Sequence, residues 1–320
     1  DNPYWIGGLG MLGSSQGIKA IDECDVLLML GTDFPYSMFL PGGKEIIQVD
    51  INANHIGRRC AVTVGLVGHV RPTLKEMLKH LQPNSDNSFL IKSQERRKKW
   101  DKSMDKKASL GKRKKVPPQA LTRMAGDLAD DDAVFIVDVG EVTAFAARHL
   151  RMRGSQRMLG SFNHGSLAVG LPGAIGVQAL DKKRQTVALC GDGAFGMLMQ
   201  DFITAVRYEL PLTCIVYNNH KLGFVELEMQ ATGFPKYGTK LVNPDFAAYA
   251  EICGGKGIKV HKPEDLEAAI KEAYQSSKPY ILDVEVNPDE LIMPPKIDPA
   301  HAWGYSLAKL KEIFVEEEQK

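Results

Sequence analysis

Short apolar runs separated by turn residues dominate the N-terminal part of the chain. Two such runs, which predict strands, lie at residues 25–30 and 45–50, and two stretches that predict helices lie at residues 15–23 and 70–80. Short continuous apolar runs bounded by turn residues are typical of parallel strands covered on both faces. The pattern therefore predicts a small α/β domain over residues 1–85, whose edge lies in a polar loop.

Basic residues crowd into the next segment, residues 86–116. Such a segment can be a patch that binds nucleic acid, or a solvated linker helix that ends in a basic turn. We favour the linker helix, because the chain as a whole is close to neutral. The pair Pro117-Pro118 then ends the segment.

Strand and helix patterns alternate again over residues 117–290, which predict a second α/β domain. The predicted strands lie at residues 134–138, 186–190, 212–217, 257–260 and 280–285, and the predicted helices at 174–180, 197–208, 246–253 and 263–276. Strands that alternate with helices imply βαβ units and a parallel sheet. Residues 291–320 form a C-terminal extension that includes a charged helix. The fold class is therefore α/β, with two parallel-sheet domains.

Composition narrows the class of protein. The 320 residues suggest two domains, and 40 Lys+Arg against 39 Asp+Glu give a net charge of +1, which argues against nucleic acid as the main partner. The longest apolar runs are far shorter than a membrane span. Five scattered Cys without a CxxC pair fit reduced thiols in a cytoplasmic protein better than disulfides or a zinc site.

A glycine-rich loop near the start of the chain matches the pattern GxGxxG. It comprises Gly8, Gly10 and Gly13 with their intervening residues. The dinucleotide-binding form of this pattern follows directly on a strand, and only residues 1–7 precede this one. An ordinary nicotinamide site is therefore disfavoured, whereas a loop that lets the backbone approach another cofactor stays open.

Polar residues follow two predicted strands of the second domain at the point where each strand ends. Gly191-Asp192-Gly193-Ala194 follows the first of these strands, and Asn218-Asn219 follows the next. If the strands are neighbours, Asp192 and Asn219 emerge side by side at the carboxyl edge of the sheet, where open α/β sheets bind ligands. Small residues at a helix start expose backbone N–H groups to a phosphate, and the oxygens of Asp and Asn suit Mg²⁺. The alternative is a capping Asp and an Asn-rich turn without a ligand. We favour a diphosphate held through Mg²⁺, because both motifs occur in the same strand context.

This pair of motifs resembles the cofactor-binding motif of the thiamine diphosphate-dependent enzymes. Within that family, several stretches are similar to pyruvate oxidase and pyruvate:quinone dehydrogenase. They lie at residues 31–36, 47–52, 159–165 and 218–229. The resemblance runs from about Asn2 to Phe314. It implies that the first domain is a partial, Rossmann-like FAD-binding domain and the second a thiamine diphosphate-binding domain.

The resemblance also implies roles for individual residues. Asp192, the side chain of Asn219 and the backbone carbonyl of Lys221 would bind Mg²⁺. The diphosphate would lie against Gly191, Gly193 and Ala194, and Leu167 would wedge thiamine into its bent form. The substrate side would be lined by Val139, Phe224, Val225 and Glu228. FAD would be bound near Gly10, Gly13, Gly31, Thr32, Phe34 and Asp50. His69 stands where the family commonly has Asp, which weakens the match at the adenine contact.

The implied activity is oxidative decarboxylation of pyruvate or a similar 2-oxo acid, with electrons passing to FAD and then to oxygen or a quinone. The product would be acetyl phosphate or acetate. Acetolactate synthase, a transferase, shares the metal motif and is the first alternative, although it would be expected to carry a Trp-bearing stretch at residues 226–229. A cofactor-binding module without catalytic activity is the second, and the intact Asp192 and Asn219 argue against it.

The family forms its site between two subunits and uses a Glu from a pyrimidine-binding domain that precedes the FAD domain. Residues 1–320 resemble no such domain. We therefore expect this chain to be the C-terminal part of a longer polypeptide, inactive alone and completed by an N-terminal domain in a homo-oligomer, a dimer or a tetramer. A cytoplasmic location is expected, and peripheral membrane binding only if a C-terminal tail follows the acidic end of the chain.

Overall fold

The fold was analysed in a computed structural model, which describes residues 2–290, 292, 295 and 299–318. The chain divides into two compact units. The first comprises Asp1–Ser103 with Pro294–Lys296, and the second Met104–Met293 with Ile297–Lys320. Much of the predicted C-terminal extension before residue 299 lies outside the described residues. No helix in the described part of the chain is long and apolar enough to cross a membrane.

The first unit is built on a three-stranded parallel sheet in the order β1-β2-β3. Its elements are α1 (Ser15–Glu23), β1 (Val26–Leu30), β2 (Glu45–Asp50), β3 (Val64–Val67) and α2 (Val70–Met77), with short 3-10 turns at Ser37–Phe39 and Ala53–His55. The two predicted strands and the first predicted helix are confirmed. The strand β3 was not predicted, because it is short and contains Gly65.

One expectation for this sheet was wrong. The apolar run of β1 predicted a strand covered on both faces, but Val26 is 52% exposed and Leu28 is 37% exposed. In β3, Val64 and Val67 are exposed as well, whereas Ile46 and Val49 of the central strand β2 are buried. Apolar character alone therefore did not distinguish a strand covered on two faces from one covered on a single face.

The basic segment contains α3 (Ser88–Lys107), and the boundary between the two units falls within this helix, after Ser103. Within the first unit, Arg96 donates two hydrogen bonds to the carboxylate of Glu23. Within the second unit, Asp105 pairs with Arg123 and Arg151. Charged residues of α3 therefore form ion pairs within each of the two units.

The second unit is built on a six-stranded parallel sheet in the order β5-β4-β6-β7-β9-β8. Its strands are β4 (Val134–Val137), β5 (Arg157–Leu159), β6 (Thr186–Gly191), β7 (Thr213–Asn218), β8 (Lys256–Val260) and β9 (Tyr280–Glu285). Its helices are α4 (Pro118–Asp127), α5 (Glu141–His149), α6 (Gly170–Leu180), α7 (Asp192–Leu198), α8 (Phe202–Arg207), α9 (Gly223–Ala231), α10 (Phe246–Ile252), α11 (Leu266–Tyr274) and α12 (Pro299–Glu318).

The central strands of this sheet, β4, β6, β7 and β9, are buried except at the last residues of β6 and β9. Every residue of β4 and of Thr213–Asn218 is buried, and Phe135, Leu189 and Ile215 are fully enclosed. Helix α6 packs against β4 and β6, and α10 packs against β8 and β9. These helices provide the second layer that the apolar strand pattern predicts.

Two predicted helices differ from what was observed. The stretch 197–208 is not one helix, because α7 ends at Leu198, a 3-10 turn covers Met199–Asp201 and α8 begins at Phe202. The stretch 263–276 begins with a 3-10 turn at Pro263–Asp265 before α11. The elements α4, α5, β5 and α9 were not predicted, although α5 and α9 flank the candidate site.

Candidate functional site

The order of strands in the second unit fixes where a ligand would bind. From β4 the chain moves outward to β5, and from β6 it moves in the opposite direction to β7. The carboxyl ends of β4 and β6 therefore flank the point where the strand order reverses, which is the usual ligand crevice of such sheets. Gly140 follows β4 and Asp192 follows β6, so that residues from two separate segments of the sequence meet there.

Asp192 is 2% exposed and lies at the start of α7. Its Oδ1 accepts a hydrogen bond from the backbone N–H of Gly193 at 2.9 Å. Its Oδ2 accepts from the backbone N–H of His220 and from Nδ2 of Asn243, each at 2.7 Å. Since β6 and β7 are parallel neighbours, the prediction that Asp192 and the turn after β7 lie side by side is confirmed.

Burial raises the pKa of Asp192, and its hydrogen bonds from Asn243, Gly193 and His220 act in the opposite direction. Hydrogen bonds to a buried carboxylate favour its charged form, and a nearby cation would favour that form further. A divalent cation would supply that counter-ion.

Asn219 follows β7, and both ends of its side-chain amide are engaged. Its Oδ1 accepts a hydrogen bond from the backbone N–H of Lys221 at 3.0 Å, and its Nδ2 donates to Oε2 of Glu141 at 2.8 Å. The backbone between Asn219 and Lys221 is unusual, because His220 has a φ of 59°. That left-handed conformation is uncommon for a residue with a side chain and is often found at functional sites.

A chain of hydrogen-bonded side-chain amides extends from Asp192 into the sheet. Asn243 Nδ2 also donates to Oδ1 of Asn218 at 2.9 Å, and Asn218 Nδ2 donates to Oδ1 of Asp283 at 2.9 Å. Asn218, Asp192 and Asp283 are all buried. Asn243 was not predicted, because it lies in a loop far along the chain and reaches Asp192 only in the folded structure.

Glu141 is the principal residue of this edge that the sequence analysis missed. It begins α5 directly after Gly140, whose φ of 129° favours glycine. Burial raises the pKa of Glu141 to about 7, opposed by the Lys221 cation and the Asn219 hydrogen bond and reinforced by Glu226 and Asp192. The β4 end thus contributes an acidic side chain to the same cluster as Asp192.

Leu167, the predicted wedge, lies in a turn before α6 that Asp138 holds. Oδ2 of the buried Asp138 accepts from the backbone N–H of Gly170 at 3.2 Å. Ala168, next to Leu167, has a φ of 67°, which is unusual for a residue other than glycine. Leu167 itself is 43% exposed, so its side chain is accessible to a ligand. Val139, also predicted at this edge, donates its backbone N–H to Asp138 Oδ1 at 2.8 Å.

Three of the residues predicted for the substrate side lie on α9. Val225 and Glu228 are exposed and Phe224 is half-buried. A further acid of this helix, Glu226, contacts the turn after β7, because its Oε1 accepts from Lys221 Nζ at 2.9 Å. Glu226 was not predicted.

Helix α12 packs along α9, and the contact is close. A Cβ atom added to Gly304 would lie 2.1 Å from the carbonyl oxygen of Ala231. Oε1 of Glu312 accepts from Gln230 Nε2 at 2.7 Å and from the backbone N–H of Lys236 at 3.1 Å. Helix α12 therefore supports the C-terminal end of α9, opposite to the end that adjoins Lys221.

The donor set of this edge fits a hard divalent cation with a diphosphate. Carboxylate and amide oxygens, supplied by Asp192 and Asn219, are the ligands that Mg²⁺ prefers. Gly140 and Gly191 face open space, since a Cβ added to either would meet no atom within 4 Å. Lys221 would contribute its backbone carbonyl, and Gly193 and Ala194 follow directly on Asp192. These assignments stay predictions.

The residues predicted to bind FAD lie in the first unit. Gly31 follows β1 and donates its N–H to Val49 O at 2.8 Å, so Thr32 and Asp50 share one edge of the sheet. A Cβ added to Gly10 would lie 3.2 Å from the ring of Phe34, and one added to Gly13 would lie 2.6 Å from Gly8 O.

Packing within the first unit explains why glycine stands at positions 10 and 13 and how the buried Asp50 is accommodated. Asp50 is buried, and its two oxygens accept from the backbone N–H of Asn52 and contact the ring of His55. The FAD site remains a prediction.

Comparison with known proteins identifies the family. Residues 138–284 match the sequence profile described as "Thiamine pyrophosphate enzyme, C-terminal TPP binding domain". Residues 1–77 match the profile described as "Thiamine pyrophosphate enzyme, central domain". Thiamine pyrophosphate is another name for thiamine diphosphate.

Individual relatives agree with these profiles. The protein YdaP of Bacillus subtilis (strain 168), provisionally named as a thiamine pyrophosphate-containing protein, is 41% identical over 98% of this chain and 54% of its own length. The acetolactate synthase large subunit of Porphyra purpurea is 29% identical over 92% of this chain and 51% of its own length. The pyruvate oxidase of Lactiplantibacillus plantarum is 26% identical over 90% of this chain and 48% of its own length. The chain spans about half the length of the curated relatives it matches.

Both profiles agree with the architecture. The central-domain match contains the three-stranded sheet, and the C-terminal match begins directly after β4, covers β5 to β9 except the last residue of β9, and includes Asp192 and Asn219. The chain belongs to the thiamine pyrophosphate enzyme family, and it contains the central domain and the C-terminal domain that binds thiamine pyrophosphate.

Proposed function

We propose that the protein catalyses the oxidative decarboxylation of pyruvate or a similar 2-oxo acid, as a homo-oligomer that uses thiamine diphosphate, Mg²⁺ and FAD. The observation that carries the proposal is the cluster at the carboxyl edge of β4, β6 and β7. There the buried Asp192 accepts the N–H of His220, and Asn219 lies in the adjoining turn. Bound thiamine diphosphate would supply the chemistry that cleaves the bond between the keto carbon and the carboxylate.

The residues of this chain would bind and orient the cofactor and its substrate. Asp192, Asn219 and the carbonyl of Lys221 would bind the cation, and the diphosphate would lie against Gly193 and Ala194. Buried oxygens held by hydrogen bonds from the chain are already in position, so little reorganisation is required when the cation binds.

The apolar side chains beside this cluster would surround the reacting carbons. Leu167 and Val225 are exposed, and Phe224 lies next to Val225 at the start of α9. Apolar surroundings disfavour the charge of a substrate carboxylate and therefore favour its loss as CO₂. Such a pocket would accept a small 2-oxo acid with a short apolar group.

Two features bear on the choice between an oxidase and a synthase. The segment 226–229 carries no Trp, which favours the oxidase over acetolactate synthase. The 29% identity to an acetolactate synthase subunit, against 26% to a pyruvate oxidase, supports the synthase as the second candidate. The two reactions differ in what happens to the electrons, because only the oxidase transfers them to an acceptor.

The test is a product assay on the full-length protein with thiamine diphosphate, Mg²⁺, FAD and pyruvate. We expect an artificial electron acceptor to be reduced in proportion to the CO₂ released, with no acetolactate formed. Asp192→Asn is the matched control, because it keeps the size of the side chain and removes its charge, and it should abolish both signals.

Other outcomes would overturn the proposal. Formation of acetolactate without reduction of an acceptor would identify the protein as a synthase. Tight binding of thiamine diphosphate with no consumption of pyruvate or of other short 2-oxo acids would identify a binding module without this activity.

A further inference from the structure

Glu141 occupies a position that the roles assigned above leave unexplained. It lies on α5, whereas the predicted metal ligands lie on α7 and in the turn after β7. Its Oε2 nevertheless accepts a hydrogen bond from Nδ2 of Asn219 at 2.8 Å. This contact joins the end of β4 to the predicted metal-binding turn across the point where the strand order reverses.

The contact determines how the side-chain amide of Asn219 is oriented, and therefore where its oxygen Oδ1 lies. The two ends of an Asn amide have nearly the same shape, so their orientation is set by hydrogen-bond partners. Oε2 of Glu141 accepts in this contact, and it therefore selects the NH₂ end. The N–H of Lys221 only donates, and it selects the oxygen end at 3.0 Å. Both partners favour the same orientation, in which Oδ1 is directed away from Glu141.

A second contact explains why the carboxylate can lie in this position. A Cβ atom added to Gly223 would lie 2.0 Å from Oε2 and 2.3 Å from Cδ of Glu141. Only glycine leaves room for the carboxylate. Gly223 is the first residue of α9, whose N-terminal end also favours a negative charge. Glu141 therefore contacts both the metal-binding turn and the start of the helix that carries Phe224 and Val225.

We propose that Glu141 is a positioning residue of the metal site, which fixes the side-chain amide of Asn219 through its carboxylate and holds the first turn of α9 beside it. The inference rests on the proposed function in one respect, namely that Asn219 is a ligand of the cation. It does not depend on which 2-oxo acid reacts or on the electron acceptor.

The first experiment measures the binding of Mn²⁺ to the full-length protein in the presence of thiamine diphosphate, by the electron paramagnetic resonance signal of the free ion. Removing a group that orients a metal ligand typically weakens metal binding by about 10–100-fold, and we expect this for Glu141→Ala. Glu141→Gln keeps an oxygen that can accept from Asn219 and should retain most of the affinity. A purely electrostatic role predicts that Gln is as poor as Ala, and that result would overturn the inference.

The second experiment exchanges the two partners. Asn219→Asp places two carboxylates in contact and should weaken Mn²⁺ binding. The double variant Asn219→Asp with Glu141→Gln restores a donor opposite an acceptor, because the Gln NH₂ group can donate to the new carboxylate. We expect the double variant to bind Mn²⁺ at least about tenfold more tightly than Asn219→Asp alone. Equal affinities of these two variants would contradict the inference.

Gly223→Ala tests the same contact with both partners present. The added methyl group would displace the Glu141 carboxylate, so we expect weaker Mn²⁺ binding in a protein that still contains Glu141 and Asn219. The remote control is Glu267→Gln, which also alters an acidic residue in the first turn of a helix and pairs with Lys271 on the protein surface. It should leave the Mn²⁺ affinity unchanged.

The outcomes separate this inference from the proposed function. If the wild-type protein binds no Mn²⁺ with thiamine diphosphate, the proposed function fails at its metal site. If the wild-type protein binds both and Glu141→Ala binds them equally well, only the role of Glu141 fails. Far-ultraviolet circular dichroism on every variant verifies that a loss of binding is not a loss of fold.

Discussion

The two units are built from similar sequence patterns, yet they differ in how deeply their sheets are buried. In the second unit, β4, β6 and β7 lie between layers of helices, and Leu189 of β6 is 0% exposed. In the first unit, Leu28 of β1 is 37% exposed, although it lies in an equally apolar run. The burial of a strand therefore depends on the elements that pack against it, and the local apolar pattern does not predict those elements.

The same contrast separates the polar groups at the two sheet edges. Asp192 follows β6, is buried and receives three hydrogen bonds, two of them from distant parts of the chain. Asp33 follows β1 at the corresponding edge of its sheet and forms ion pairs with Arg58 and Arg59 at the surface. Charges that are buried and held in place are the ones that a cation can stabilise strongly, so the metal-binding machinery is expected in the second unit.

The largest effect on stability should come from the strands themselves. Leu189→Ala leaves a cavity at a fully buried position, and we expect it to lower the free energy of unfolding of the second unit by about 2–5 kcal/mol. Leu28→Ala removes a side chain that is already partly in water, and we expect a loss of about 0.5 kcal/mol. Urea unfolding followed by circular dichroism measures both. Similar losses would mean that β1 is covered in the native protein.

The next effect concerns ligand binding. Asp192→Ala removes a predicted metal ligand, and we expect the affinity for thiamine diphosphate with Mg²⁺ to fall by about 100-fold or more. Asp33→Ala removes the matched carboxylate of the first unit and should leave that affinity unchanged. Isothermal titration calorimetry with the full-length protein measures both. Unchanged binding by Asp192→Ala would remove the basis for placing the metal at this edge.

A change at the close contact between α12 and α9 should lower the free energy of unfolding by less than a cavity in the core. Gly304→Ala places a methyl group 2.1 Å from the carbonyl oxygen of Ala231, so the helices must separate, and we expect a loss of about 1–3 kcal/mol. Gly42 of the first unit faces open space, and Gly42→Ala should be neutral within about 0.5 kcal/mol. Thermal and urea unfolding of the two variants would show whether the difference exists. If Gly304→Ala is also neutral, α12 does not pack tightly on α9 in solution.

Much of this architecture could be predicted from the sequence, for a physical reason. Asp192 and Asn219 each follow an uninterrupted apolar run, and such runs predict the end of a strand within a residue or two. Their proximity then follows from the parallel βαβ unit, which the structure confirms. The break between α7 and α8 was missed because the 3-10 turn at Met199–Asp201 contains no Gly or Pro that would mark the end of a helix.

The residues that were missed are those whose importance depends on distant segments. Glu141 follows β4, and its relation to Asn219 depends on the order of strands in the sheet. Asn243 lies in an irregular loop with no periodic pattern, and it meets Asp192 only through tertiary packing. Glu226 was missed because its contact with Lys221 is made only when α9 packs beside the turn after β7.

The smallest expected effect is a loss of stability at acidic pH, and it concerns a buried histidine of the second unit. Burial, with the nearby Arg123 and Arg148 cations, lowers the pKa of His149 to about 3 from an ordinary value of 6.5. Between these two values the unfolded chain binds the proton and the folded chain does not, so stability falls as the pH falls through this window. His149 is buried in the second unit, whereas His80 of the first unit is exposed.

We therefore expect the free energy of unfolding to decrease by up to about 1.4 kcal/mol for each pH unit below 6.5 on account of His149. His149→Gln should flatten the pH dependence below 6.5, because Gln cannot take up the proton. Urea unfolding at pH 7.5, about 6 and about 5 gives the two slopes. A slope that His149→Gln does not alter would show that other groups cause the acid sensitivity of the second unit.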